Sequence, residues 1–361
     1  MIQILDKSCI VLLACKDYES TQLTIAHLLA LTPASVPIYF LPNSMEDTFE
    51  SMCVKELGTI YSNLYPHRFI YVNWIKPSFP YQSIGDLLFS KQLEKYEYIC
   101  KIDDDVFPIT ENWIEKLAES FAKNDDGNLA YTTGLINNNP WGFGEIVEAF
   151  GLKEEYTSII PKTTFAGKNI PGYMNKKEVV APNIDRGGFG TVWQFPHLAK
   201  WIHEKTTLLP QSFIEKTANL SEKEVDNKLR YSIGCMFFRK RSWADIHSGA
   251  YNDEKIWHLY CMKNNKRIIS VRSVPIVHLF FFNQRLSNKM IVHEVFTTYK
   301  KFLKDRVIYV WDFSTENKLF FIEERLSQIE SMIRSRKYGH GLAMRFKKIL
   351  NKVRFTIFRK W

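Results

Sequence analysis

The sequence has little cysteine and no paired cysteine motif. Six cysteines are spread over 361 residues without a CxxC pair. This excludes a disulfide-dense secreted domain and a cysteine-based zinc or redox motif. Cys9, Cys15, Cys53, Cys100, Cys235 and Cys261 mostly lie in apolar runs. There a thiol behaves as a small hydrophobe, so all six read as free thiols of a cytoplasmic protein. Any apolar run of the roughly eighteen residues needed to cross a bilayer is also missing. The segment CIVLLAC near the N-terminus follows Asp6 and Lys7, and reads as a first buried strand rather than a signal peptide. A phosphate-cradling loop is missing too, because GGFG at 187–190 lacks the Lys-Ser/Thr that follows in a P-loop. Acidic residues stop at Glu330, and the ten Lys and Arg beyond it account for the whole net charge of +9. The body is therefore near neutral, which excludes a nucleic-acid-binding body.

What is present is an alternation of apolar runs and helical patterns. Strands are expected at 8–15, 36–41 and 68–73, and helices at 21–31, 45–57 and 84–93. This order predicts an α/β chain with a mostly parallel sheet and helices on both faces. The next run, Tyr98 to Ile102, ends abruptly in Asp103, Asp104 and Asp105. Pro108 and Thr110 then break the chain, and Trp113, Ile114, Leu117 and Phe121 follow at helical spacing. Three carboxylates thus stand at the carboxyl end of a strand, the edge where open α/β sheets bind ligands. Adjacent carboxylates repel, and they stay ionised together beside water or a cation. Hard cations such as Mg²⁺ or Mn²⁺ take oxygen ligands, Mg²⁺ commonly from one or two carboxylates plus substrate phosphates. A solvated acidic turn is the plain alternative.

Further along, NNNPWGFG at 137–144 and DRGGFG at 185–190 read as loops, either covering a site or merely connecting. A buried strand, YSIGCMFFR, is expected at 231–239, and a glycine inside a strand often marks close approach of a ligand or backbone. Asp253 and Glu254 open a helical pattern, where acids are ordinary dipole partners. The short run VPIVH ends in His278.

In this order the markers resemble glycosyltransferases of the GT-A fold. KIDDDVF resembles the D-x-D segment of the inverting β-1,3-galactosyltransferase and Fringe-like enzymes, and that of the broad family 2 transferases of bacterial polysaccharide synthesis. IGCMFFRKRSW, the acidic pair, the C-x5-R-I that follows and VPIVH resemble the acceptor strand, base motif, trailing motif and metal-binding His of those families. The likeness spans roughly residues 8–282. It implies a GT-A sheet and a Mn²⁺ or Mg²⁺ ion held by Asp105 and His278, with Asp103 joining at the metal or facing the ribose. It also implies a nucleotide-diphosphate sugar, most simply a UDP-sugar, against Asp103, Asp104, Cys15 and Asn43. Either Asp253 or Glu254 is then the base, since the family reads Glu-Asp where this chain reads Asp-Glu. The first strand ends Ala14-Cys15-Lys16-Asp17 and the second runs into Asn43-Ser44, both departures from the family pattern. A nucleotidyltransferase and a non-catalytic nucleotide-sugar or glycan-binding protein are the other readings.

The expected division is a catalytic domain at 1–290 and a helical extension at 291–361. Helices are expected at 291–304 and 315–335. From 342 to 358, Leu342, Phe346, Ile349, Leu350, Val353 and Ile357 form one apolar helical stripe among Lys and Arg. Such a basic amphipathic helix suits an anionic membrane surface, or else packs on protein. With no N-terminal anchor, the resemblance points to a bacterial enzyme of surface-glycan synthesis on the inner face of the cell membrane rather than a Golgi enzyme.

Overall fold

Apolar continuity in the sequence becomes the centre of a sheet. In a computed structural model that describes residues 2–159, 165–166, 178–179, 196–225, 233–246, 253–279 and 285–311, β1 (Ser8–Ala14) is buried at every position except Leu13. It follows a one-turn helix, α1 (Ile2–Leu5), and leads to α2 (Tyr18–Leu31), β2 (Ile38–Pro42), α3 (Phe49–Leu64), β3 (Phe69–Tyr71) and α4 (Pro80–Leu88). Then come β4 (Tyr98–Asp103), β5 (Val106–Pro108), α5 (Trp113–Asn124), β6 (Leu129–Ile136), α6 (Pro140–Ala149) and α7 (Lys153–Ile159). A small separate pair, β7 (Phe165–Ala166) and β8 (Glu178–Val179), precedes α8 (Pro196–Lys205), α9 (Pro210–Thr217) and β9 (Lys223–Val225). The last elements are β10 (Cys235–Arg239), α10 (Arg241–Ala244), α11 (Asp253–Lys263), β11 (Arg267–His278) and α12 (Arg285–Leu303).

The sheet runs β3-β2-β1-β4-β10-β6-β11-β5, with β9 alongside β11. β3, β2, β1 and β4 are mutually parallel, as are β6 and β11, while β10 is antiparallel to both β4 and β6. β5 and β9 also run antiparallel to β11, so the sheet is mixed, and the chain is an α/β protein, as expected. Its helices start where the sequence offers a start. Thr48 and Ser51 form a reciprocal capping box for α3, and Asn139 caps α6 just before Pro140.

Three elements depart from the sequence reading, the first being α6, a helix that starts at Pro140 inside the segment read as a loop at 137–144. β6 lies where no strand was expected, because its run LAYTTGLI is polar in the middle; all eight residues are nonetheless buried. β11 is 12 residues long rather than the short VPIVH, with a register shift between Val271 and Pro275 that absorbs the proline. Gly134 lets β6 and β11 close up there: a Cβ at this position would lie 2.4 Å from Ile276 Cγ1 and 2.5 Å from the Val274 carbonyl oxygen.

The chain divides into two compact units, Met1–Val310 and Trp311–Trp361. The first unit includes α12, which the sequence reading assigned to the extension from 291. The Tyr299 ring of α12 packs 4.7 Å from His27 of α2 and 5.4 Å from Phe107 of β5. The helices expected at 315–335 and 342–358, and the loop at 185–190, lie outside the described residues. Among the described residues no helix is long and apolar enough to cross a membrane.

Candidate active site

The acidic triplet sits at the turn between β4 and β5, and each carboxylate has a different fate. Strand alternation puts Lys101 and Asp103 on the same side of β4. The buried Lys101 Nζ lies 2.6 Å from Asp103 Oδ1 and 3.9 Å from Asp253 Oδ2, and donates to the Ile233 carbonyl oxygen at 3.0 Å. Burial works to strip Lys101 of its proton, but Asp103 and Asp253 overcome it and raise its pKa. Burial raises the Asp103 pKa to about 6 against the pull of Lys101, with Asp253 adding to the rise.

Asp104 braces the sheet edge. Its Oδ2 accepts the Cys15 N–H at 2.8 Å, tying the ends of β1 and β4, and its carbonyl oxygen accepts from Thr24 Oγ1 at 3.0 Å. Burial pushes its carboxyl up to about 7, opposed by the Cys15 N–H. Asp105 is pushed well above the usual carboxylate range, by burial first and then by the charges of Asp104 and Asp103. With one ammonium beside three crowded carboxylates, burial favours their neutral forms, and a nearby cation would favour the charged ones.

β5 places Asp105 opposite His278. The antiparallel pairing of β5 with β11 sets Val106 against His278, and the Leu279 N–H donates to the Asp105 carbonyl oxygen at 3.0 Å. His278 Nε2 stands 3.7 Å from Asp105 Oδ1. His278 Nδ1 meets the Asn138 carbonyl oxygen at 3.0 Å; a carbonyl only accepts, so Nδ1 carries the proton and the lone pair is on Nε2. Two donors to one ion can be no farther apart than the sum of their bonds, roughly 4.2 Å for Mg²⁺. The oxygen–imidazole pair therefore fits a divalent cation with open positions for other ligands. Asp103, expected beside them, instead turns to Lys101 and Asp253. Among the described residues no group of three His, Cys, Asp or Glu side chains converges as cation ligands.

The acidic pair opens α11. Asp253 Oδ1 accepts the Glu254 N–H at 3.0 Å, while its Oδ2 faces Lys101. Asn43, expected to face the nucleotide, is turned to a structural task. Its Oδ1 accepts the Ser78 N–H at 3.1 Å and its Nδ2 donates to the Ser78 carbonyl oxygen at 2.9 Å, pinning the loop before α4. Cys15 is exposed, and its backbone N–H is committed to Asp104.

Sequence reasoning missed Lys101, although a lysine inside the apolar run YICKID two residues before an aspartate was a visible signal. It also missed the props beneath the triplet. His27 of α2 donates from Nδ1 to the Pro108 carbonyl oxygen at 2.8 Å, fixing the far end of β5. Nothing in the spacing of α2, buried over most of its length, distinguishes His27 and Thr24 from core residues.

No family model matches the chain, and no curated protein matches it. Solved structures similar to it include the following three. GalNAc-T7 with UDP, GalNAc and Mn²⁺ is 13% identical over 80% of this chain and 47% of that chain, with a TM-score of 0.39. CMP:2-keto-3-deoxy-manno-octonic acid synthetase complexed with CTP is 11% identical over 75% of this chain and 90% of that chain, with a TM-score of 0.34. Mouse xyloside xylosyltransferase 1 in its apo form is 12% identical over 80% of this chain and 93% of that chain, with a TM-score of 0.27. The likeness to GalNAc-T7 spans less than half of that chain. These likenesses are distant, and the strand order itself defines the α/β class.

Proposed function

We propose that the chain is a metal-dependent, inverting glycosyltransferase. It moves a sugar from a nucleotide-diphosphate donor, a UDP-sugar by the resemblance of KIDDDVF, to a hydroxyl of a glycan or lipid-linked acceptor. One observation carries this reading. A single sheet edge gathers a cation-binding pair, Asp105 with His278, and an acidic pair, Asp253 with Glu254, linked through Lys101 and Asp103. A merely solvated acidic turn has no need of a buried lysine spanning two acidic segments so far apart in sequence.

Asp105 and His278 would hold Mn²⁺ or Mg²⁺, whose charge would stabilise the departing diphosphate. Asp103, oriented by Lys101, faces the donor. The acceptor hydroxyl gives its proton to a carboxylate as its oxygen bonds to the anomeric carbon, and the bond from that carbon to the diphosphate oxygen breaks. Attack opposite the leaving group inverts the anomeric centre. Both Asp253 oxygens already face donors, the Glu254 N–H and Lys101. The base is therefore assigned to Glu254, with Asp253 setting the start of α11.

The setting that fits is bacterial surface-glycan synthesis, with the enzyme on the inner face of the membrane. Support comes from the basic stretch after Glu330. The full chain then co-sediments with anionic vesicles at low salt, and a chain cut near Gly339 does not. Calorimetric titration with a panel of nucleotide sugars, with and without Mn²⁺, tests the function. One nucleotide sugar binds tightly only with Mn²⁺ and is then turned over onto an acceptor. Preference for a nucleoside triphosphate would instead mark a nucleotidyltransferase, and binding without turnover a binding protein.

A further inference from the structure

Behind His278 lies a layer of polar side chains that no step of the proposed reaction touches. Asn137, just past β6, accepts the His278 N–H at Oδ1 at 2.9 Å and the Asn138 N–H at 2.7 Å. Its Nδ2 donates to Thr206 Oγ1 at 2.9 Å and to Thr207 Oγ1 at 2.8 Å. Thr206 Oγ1 in turn donates to the Ile202 carbonyl oxygen at 2.5 Å. Thr207 donates to His203 Nδ1 at 2.7 Å, and His203 Nε2 donates to the Leu279 carbonyl oxygen at 2.6 Å. The N–H of the same Leu279 is the one that binds the Asp105 carbonyl oxygen.

This wiring admits one arrangement. A flipped Asn137 amide would set its NH₂ against the N–H groups of Asn138 and His278. The other His203 tautomer would point a lone pair at the Leu279 carbonyl oxygen. Asn137, His203, Thr206 and Thr207 are all 0% exposed, so none can turn to water instead. At α6, a Cβ on Gly142 would stand 2.0 Å from the Ile136 carbonyl oxygen, so that helix presses on the end of β6 and leaves the Asn137 backbone little room.

We propose that Asn137 and His203 are positioning residues that fix the backbone, ring and tautomer of His278 opposite Asp105. Asn137 clamps the amide of His278, and His203 holds the carbonyl of Leu279, the residue whose N–H ties the end of β11 to Asp105. The inference rests on the cation-binding reading of that pair. It goes further in naming what pre-orients the pair: a polar layer contributed by α8 and the turn that follows it, elements distant in sequence from both ligands.

The test uses the full chain and two readouts, Mn²⁺ affinity by electron paramagnetic resonance and the His278 tautomer by long-range ¹H–¹⁵N NMR. In H203A the Mn²⁺ dissociation constant should rise about tenfold or more, the scale of a lost outer-shell partner, and in H203Q, which keeps a donor for Leu279, it should return to within about threefold of wild type. N137A should show a mixture of His278 tautomers. If N137A or H203A does not fold, N137D, which keeps the acceptor for His278 and loses the donors to both threonines, should still weaken Mn²⁺ binding. Folded variants that bind Mn²⁺ within about twofold of wild type and keep one Nδ1–H tautomer would overturn the proposal. Failure of the wild type to bind Mn²⁺ would sink the cation reading itself. The tautomer measurement would then decide the network alone, with an unchanged His278 ring in H203A counting against it.

Discussion

The ammonium of Lys101 lies 2.6 Å from Oδ1 of Asp103, inside a strand that is otherwise apolar up to the acidic turn. The lysine is 1% exposed, whereas the Asp103 side chain is 31% exposed. The cation is therefore sealed behind its carboxylate, and the carboxylate opens to solvent. Removing one partner of a buried pair leaves the other uncompensated. K101M should lose on the order of 3 kcal/mol of unfolding free energy, the low end for buried pairs because Asp103 is partly solvated. Urea denaturation measures it. K101M/D103N should recover part of the loss, and an unchanged midpoint in K101M would show that the pair has no structural weight.

The second prediction concerns the cation. D105A and H278A should each abolish transfer and remove the Mn²⁺-dependent tightening of nucleotide binding, and EDTA should do the same to the wild type. Full activity in EDTA would exclude a metal from the reaction.

The third concerns the base. E254Q should lose about a hundredfold or more in turnover while still binding donor, the usual scale for a general base. D253N should change turnover less and stability more, since Asp253 holds the start of α11 and faces Lys101. Reversed effects would transfer the role to Asp253, and near-normal rates in both would leave the pair as a helix start only.

The fourth concerns acid stability. Burial lowers the His27 pKa to about 3 despite its bond to the Pro108 carbonyl oxygen. The unfolded chain then binds a proton at His27 that the folded chain refuses. Stability from this group is complete above the ordinary histidine pKa of about 6.5 and falls by roughly 1.4 kcal/mol per pH unit below it, down to the folded value. H27N retains a donor for Pro108 and cannot titrate. It should be less stable than wild type at pH 7, and the gap should narrow as pH falls toward 4. Comparing the two proteins isolates His27 from Asp103 and Asp104, whose raised pKa values act in the opposite direction. A gap that stays constant with pH would mean that His27 takes up its proton as readily in the folded protein as in the unfolded chain.

The fifth concerns thiols. All six cysteines are free, and Cys15 is the exposed one. Burial raises the thiol pKa of Cys9 above the ordinary range and pushes Cys261 up to about 12, so these should be inert in the native state. A thiol reagent should modify Cys15 first, and a bound nucleotide should slow that reaction if the end of β1 lines its site. Rapid labelling of several thiols would contradict the packing.

The sequence by itself determined the strands and helices whose signal is local. The run before Asp103 is apolar enough to bury itself, the spacing of Trp113, Ile114, Leu117 and Phe121 marks a helix, and the triplet announces a charged sheet edge. β6 escaped because its central threonines read as polar. Their hydroxyls donate to the Leu117 and Cys235 carbonyl oxygens at 2.9 and 2.7 Å, contacts made across the fold. The three aspartates stand side by side in the sequence and find different partners in the fold. Strand alternation turns Asp103 to Lys101, the β1 end takes Asp104, and the β5–β11 pairing gives Asp105 to His278. Asn43 looked like a nucleotide ligand, and only the return of the chain at Ser78 showed its amide occupied. Which partner each polar group finds was decided by tertiary structure, because hydrogen bonds and ion pairs act over a few ångströms in space, whatever the separation along the chain.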